Sequence, residues 1–177
     1  MKNFLLVLFV MLFLGCSEDN KQKNEKFKQD VSTQQTNNYE HFPIANEKIN
    51  NTFDRKTIYI PVYSHVYISE NVYTRLSITL SIRNSDLVKD LYVESIDYYN
   101  TEGKLVKQYI KEPHLLKPLS TVDYVVNLED MSGGNGAKFL INVASKNKIN
   151  TPIIQAIMTN TLGNSNLCFL TEGHVLE

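Results

Sequence analysis

Residues 75–83 read RLSITLSIR, so Leu76, Ile78, Leu80 and Ile82 alternate with Ser77, Thr79 and Ser81. A period of two sends successive side chains to opposite faces, which is the mark of a strand with one side on a core and one toward water. The same reading extends outward in both directions. TVDYVVNL (121–128) puts Val122, Tyr124, Val126 and Leu128 inward, and AKFLINVA (137–144) does the same with Phe139, Ile141 and Val143. In LYVESIDYY (91–99) the inward set begins as Leu91 and Val93 and shifts to Ile96 and Tyr98, so a bulge is expected near Glu94–Ser95. NTEG (100–103) then turns the chain into KLVKQYI, a hairpin signal carried by Asn100 and Gly103.

PIIQAIMT (152–159) is apolar on both faces and is expected to be a central strand. LCFLTEGHVL (167–176) closes the chain, with Gly173 turning it into a last short strand. Seven or eight short strands from Thr57 to Glu177, with turn signals at regular spacing and no helical period, predict one antiparallel β-sandwich of immunoglobulin-like type. An up-and-down barrel is the alternative, disfavoured by connections of uneven length.

Upstream of this domain the character is different. MKNFLLVLFVMLFLGC (1–16) carries Lys2, an apolar run from Phe4 to Leu14, then Gly15 and Cys16. The run is too short to span a bilayer. The order of charge, apolar run, small residue and cysteine resembles a bacterial lipoprotein signal peptide (residues 1–15), which implies that Cys16 is acylated and becomes the first residue. Several acyl chains at ~0.8 kcal/mol per buried methylene would hold the chain to a membrane. Bacterial envelope localisation, on the periplasmic face or outer surface of the outer membrane, follows as an expectation. Glu18-Asp19 resembles the short export tag that some lipoproteins carry just after the cysteine.

Residues 16–56 form a tract rich in Asn, Gln, Lys and Glu without a sustained period. Such a segment buries too little apolar surface to offset its ordering entropy, so it is expected to be a disordered tether. It would reach about 130 Å fully extended and average about 35 Å as a coil.

Charge excludes one class of partner. Loss of Lys2 with the leader leaves 17 basic against 19 acidic residues, a net charge of −2, which gives no electrostatic footprint for nucleic acid. With Cys16 acylated, Cys168 is the one remaining thiol, so no intrachain disulfide forms. The apolar setting NLCFL predicts that Cys168 is buried.

The motifs YIPVYSHVY, SIRN, DYYNTEGKLV, PLSTVDYVV and GGNGAKFLINV, in this order, resemble a family of bacterial lipoproteins and secreted proteins known only as domain of unknown function 3124. The resemblance covers about residues 57–177. It implies an envelope location and no established activity, and it assigns no catalytic or binding residue.

Candidate sites therefore rest on the residues alone. In IYIPVYSHVYI (58–68) the aliphatic set alternates with Tyr59, Pro61, Tyr63, His65 and Tyr67. Proline donates nothing to a ladder, so this strand is expected to be an edge or to change sheet at Pro61. Two readings of Tyr59, Tyr63, His65 and Tyr67 stand: half-buried strand tyrosines with hydroxyls at the rim, or an exposed aromatic face for an envelope protein or glycan. Weaker candidates are the Gly-rich turn with Gly133, Gly134, Asn135 and Gly136, Asp130 beside it, and Arg83. The turn reads as a tight bend, with an anion nest or a calcium loop as minor alternatives. It lacks the lysine, Ser/Thr and following helix of a phosphate-binding loop. His41, His65, His114 and His174 show no zinc spacing, no serine sits in a nucleophile elbow, and no cofactor or metal is implied. A lipid-anchored, non-catalytic binding or assembly module is the leading expectation. The alternative is a small-ligand or metal-dependent envelope enzyme built on the Gly-rich loop.

Overall fold

The computed structural model describes residues 42–46, 48–160 and 166–176. The leader, Cys16, His41 and residues 17–41 of the expected tether lie outside the described residues.

The described chain is all-β: β1 (Asp54–Val62), β2 (His65–Ser69), β3 (Val72–Arg75), β4 (Ser77–Arg83), β5 (Leu91–Tyr99), β6 (Leu105–Gln108), β7 (His114–Leu116), β8 (Thr121–Val126), β9 (Ala137–Ser145), β10 (Ile153–Asn160), β11 (Leu167–Glu172) and β12 (His174–Leu176). One sheet runs β12-β1-β9-β5-β6, with β7 also paired to β5, and a second runs β11-β10-β4-β8. Every pairing is antiparallel. Ile58, Ile60, Phe139, Ile141 and Ile96 from the first sheet share one core cluster with Ile78, Leu80, Ile82, Ala156 and Val122 from the second. The two sheets thus pack face to face as a sandwich, the arrangement that one-sided alternation demands.

Several details of the alternation are met in place. Leu76, Ile78, Leu80 and Ile82 are all fully buried. The register of β5 against β9 shifts between Val93 and Ser95, so that Val93 and Ile96 both reach the core. The β5–β6 turn closes with Asn100 and Lys104 paired through Asn100 N–H, and Gly103 takes φ +78°, which glycine adopts without steric cost. β10 lies between β11 and β4.

Four expectations are corrected. Twelve strands are described where seven or eight were expected: β3 and β7, of four and three residues, are too short for alternation to register, and β2 is separate from β1. The sandwich begins upstream of Thr57: β1 starts at Asp54, Phe53 is buried against Tyr92, and Leu115 N–H donates to Pro43 O at 3.0 Å. The strand read as continuous through Ile68 breaks at Tyr63–Ser64, not at Pro61, which stays in register with Lys138 of β9. Beyond Tyr59 no β12 residue pairs on the other side, so Pro61 interrupts no ladder there, and its carbonyl accepts Thr171 Oγ1–H at 2.7 Å. Cys168, expected to be buried, is exposed. On the edge strand β11, Leu167 and Phe169 pack inward and leave Cys168 and Leu170 outside.

Candidate functional site

At Ser64 the chain leaves the first sheet. The fully buried serine donates its N–H and its Oγ–H to Gly134 O, each at 3.0 Å, and accepts Leu76 N–H at 2.9 Å. Between these fixed points residues 65–75 form a separate hairpin of β2 and β3. Its turn is Glu70-Asn71, and its register pairs His65 with Arg75 and Tyr67 with Tyr73. The other face holds it down: Val66 packs on the core, and the buried Asn160 amide donates to Thr74 Oγ1 and Arg75 O, both at 2.6 Å.

The outward face carries three rings. His65 lies 5.3 Å from Tyr67 and 5.0 Å from Tyr73, and the two tyrosines are 6.3 Å apart, centroid to centroid. Tyr67 and Tyr73 remain 57% and 47% exposed although each touches two rings. Edge-to-face contacts of this kind hold rings in fixed orientations. Ile68 and Val72 at the tip are also exposed.

The aromatic set expected on one face is divided. Tyr59 is half-buried on β1 opposite Leu140 and His174, and Tyr63 packs against the core and Phe169 at 5.8 Å. His65 and Tyr67 go to the hairpin instead, where they meet Tyr73 and Arg75. Neither belongs to the alternating set of 58–68, although Glu70-Asn71 followed by the alternation of VYTR is a hairpin signal. This division predicts opposite mutant behaviour. Tyr63→Ala is expected to cost about 2 kcal/mol of unfolding free energy, and Tyr67→Ala less than about 0.5 kcal/mol, both read by urea denaturation.

The Gly-rich loop lies close by. Gly133 O accepts Thr101 N–H at 2.9 Å, Gly136 N–H donates to Thr101 Oγ1 at 3.0 Å, and Gly134 N–H donates to Met131 O at 3.2 Å. Ser132 N–H is taken by Asp130 Oδ1 at 3.0 Å. Through these contacts the loop clasps Thr101 and Ser64, with three of its amides engaged inside the protein. Asn135 is exposed at its tip. Below it, burial and then the Asp130 carboxylate push the Tyr98 phenol well above its usual pKa.

Arg83 is elsewhere. It ends β4, six residues or about 20 Å from Ser77, and its Nη1–H donates to Gln155 Oε1 at 2.7 Å rather than to a carboxylate. His65 and the Gly-rich loop are neighbours through Ser64, and Arg83 does not join them. His114 is half-buried opposite Ile44, with its pKa lowered by burial against the raising effect of Glu112. His174 is exposed on β12. Among the described residues no group of three His, Cys, Asp or Glu is placed to hold a metal ion. An open depression of about 670 Å³ lies on the outer face of the first sheet, lined by Arg55, Thr57, Glu94, Ser95 and Asn142. Its polar groups satisfy one another, Arg55 with Glu94, Thr57 with Asn142 and Asn142 with Ser95.

A family model described as a protein of unknown function, DUF3124, matches residues 55–176. The chain belongs to this family. The DUF3124 match takes in β1 to β12 almost entire, the Ser64 pivot and the aromatic hairpin included. No curated protein matches the chain. A solved structure titled "Crystal Structure of Thermotoga maritima 1070" is similar at 14% identity and a TM-score of 0.40, over 68% of this chain and 92% of that one.

Proposed function

We propose that this DUF3124 protein is a lipid-anchored, non-catalytic binding module of the bacterial cell envelope, and that the β2–β3 hairpin is its contact element. The observation that carries the reading is the exposed ring trio of His65, Tyr67 and Tyr73 on a hairpin whose other face is fastened down. Rigid aromatics supply contact area at low entropic cost, which suits them to a partner protein segment or the apolar face of a sugar. Arg75, opposite His65 in the register and exposed, adds a fork of donors for a carboxylate or hydroxyl rim. The anchor in this reading is Cys16, on the strength of the FLGC junction.

Two measurements test it in cells. Alkyne fatty acid is expected to label the wild type and not Cys16→Ala. A photo-crosslinking residue at Ile68 is expected to give a discrete adduct that disappears in Tyr67→Ala/Tyr73→Ala, at unchanged protein level. An adduct that survives the double substitution removes the hairpin as the contact element.

A further inference from the structure

The far end of the sandwich from the hairpin is built as a surface of its own. Three loops meet there: residues 84–90 between β4 and β5, 117–120 between β7 and β8, and 146–152 between β9 and β10. A buried polar latch ties them together. The Asn84 amide donates to Lys89 O at 2.8 Å, Leu116 O at 3.1 Å and Lys117 O at 3.2 Å, and Asn84 N–H donates to Ser120 O at 3.0 Å. Asp86 Oδ2 accepts the Asn150 amide at 2.9 Å, Ser85 Oγ–H donates to Thr151 O at 3.2 Å, and Lys89 Nζ–H donates to Lys148 O at 3.3 Å.

Three aliphatic side chains on this braced platform, Leu87, Val88 and Leu119, face water among the polar ones. Asp86 Oδ1 accepts the N–H groups of Val88 and Lys89, each at 3.0 Å, and that local turn lifts Leu87 and Val88 to the tip, 74% and 80% exposed. Leu119 is 66% exposed and takes φ +60°. It follows Pro118 in a turn closed by Ser120 N–H on Lys117 O at 3.1 Å, the position where a positive φ favours glycine or asparagine. Leucine there bears backbone strain and gains no burial within the domain. An observed outlier of this kind points to a contact made outside it.

Charge says what kind of contact. The three loops contain Lys89, Lys117, Lys146 and Lys148 against Asp86 and Asp90, four minus two or net +2, on a chain whose formal net charge is −1. Lys89 and Lys117 pair with Asp86 and Asp90 at 3.9 and 3.0 Å, so the net +2 is what these ion pairs leave over. Aliphatic tips in a positive field fit a bilayer surface with anionic headgroups, the tips entering the acyl boundary. The route of the chain agrees. Leu115 of β7 pairs with Pro43 and Ile44 opposes His114, so Phe42 lies beside Leu116, where β7 enters this same end. Phe42, the first described residue, therefore lies at the end of the sandwich that carries these loops.

We propose that the Leu87, Val88 and Leu119 loops dock the sandwich on an anionic membrane, leaving the aromatic hairpin at the opposite end facing away from it. The proposal deepens the lipid-anchored reading and rests on it only for the supply of a nearby membrane. Its test uses the polypeptide Ser17–Glu177, which has no acylation site and keeps every residue of the core cluster. Sedimentation with vesicles of equal parts phosphatidylethanolamine and phosphatidylglycerol is expected to show binding that salt weakens and that phosphatidylcholine vesicles do not support. Leu87→Asp/Val88→Asp is expected to weaken binding about tenfold. Leu119→Asn is expected to weaken it also, with no fall in the unfolding midpoint because asparagine suits a positive φ. Absence of binding, or equal binding by both variants, overturns the proposal. Failure of the Cys16 reading would show separately, as missing fatty acid label on the full chain.

Discussion

Gly133→Ala is expected to cost about 3–5 kcal/mol of unfolding free energy, the range of severe core defects. A Cβ at this position would stand 1.8 Å from Tyr98 Oη, 2.5 Å from its Cζ and 2.8 Å from Ala137 Cβ. The ring has nowhere to go, being fully buried and 4.8 Å from the Phe139 ring. Nor is the loop free to lift, because Gly133 O accepts Thr101 N–H and the next carbonyl, Gly134 O, holds Ser64. A second substitution identifies the cause. The Tyr98 hydroxyl is buried with no hydrogen-bond partner among the described residues, so Tyr98→Phe alone is expected to be neutral or stabilising by about 1 kcal/mol.

In the Gly133→Ala background the same change is expected to recover part of the loss, the ring carbon at 2.5 Å accounting for the remainder. Coupling in the double-mutant cycle above about 1 kcal/mol supports the contact, and additivity refutes it. Tyr98 also sets an alkaline limit. Its pKa in the folded protein lies above the ordinary 10.0, so its contribution is complete below that value and is lost as pH rises past it, when the unfolded chain releases a proton that the folded chain keeps. Stability above pH ~10 is therefore expected to fall less steeply in Tyr98→Phe than in the wild type.

Gly173→Ala has the next largest expected effect, about 1–3 kcal/mol from overpacking. Between β11 of the second sheet and β12 of the first, Gly173 carries the chain across the sandwich, and its N–H donates to Ile154 O at 2.9 Å. A Cβ would meet Ile58 Cγ2 at 2.6 Å, Ile154 Cβ at 3.3 Å and Ile154 O at 3.4 Å. Ile58 is β-branched and 1% exposed, so it has no rotamer to retreat into. A midpoint of urea unfolding unchanged from the wild type would show that the crossing does not run over Ile58.

The alternation of apolar side chains over 76–82, 122–126 and 139–143 determined by itself that the protein is built of one-sided β-strands, and the turn signals and uneven connections between them pointed to an antiparallel sandwich. A strand with one buried face must repeat every two residues, whatever surrounds it. The bulge between Val93 and Ser95 was legible for the same reason, since the inward set changes phase there. The Asn100 to Gly103 turn was legible because a positive φ selects glycine. The family could be read from five motifs in order, and the compartment expectation from a leader that needs no tertiary context.

Partners distant in sequence decided the rest. Nothing local to IYIPVYSHVYI announces that the strand stops at Val62, because the break is made by Gly134 O, seventy residues away, capturing Ser64. That one capture divides the tyrosines, leaving Tyr63 on Phe169 and sending His65 and Tyr67 to meet Tyr73. Cys168 was misread because its apolar neighbours are outnumbered by open space at an edge strand, a property of sheet order and not of composition. Leu87, Val88 and Leu119 look like ordinary loop leucines and valine in the sequence. They become a single surface only because Asn84 and Asp86, buried between three loops, find their hydrogen-bond partners across the end of the fold.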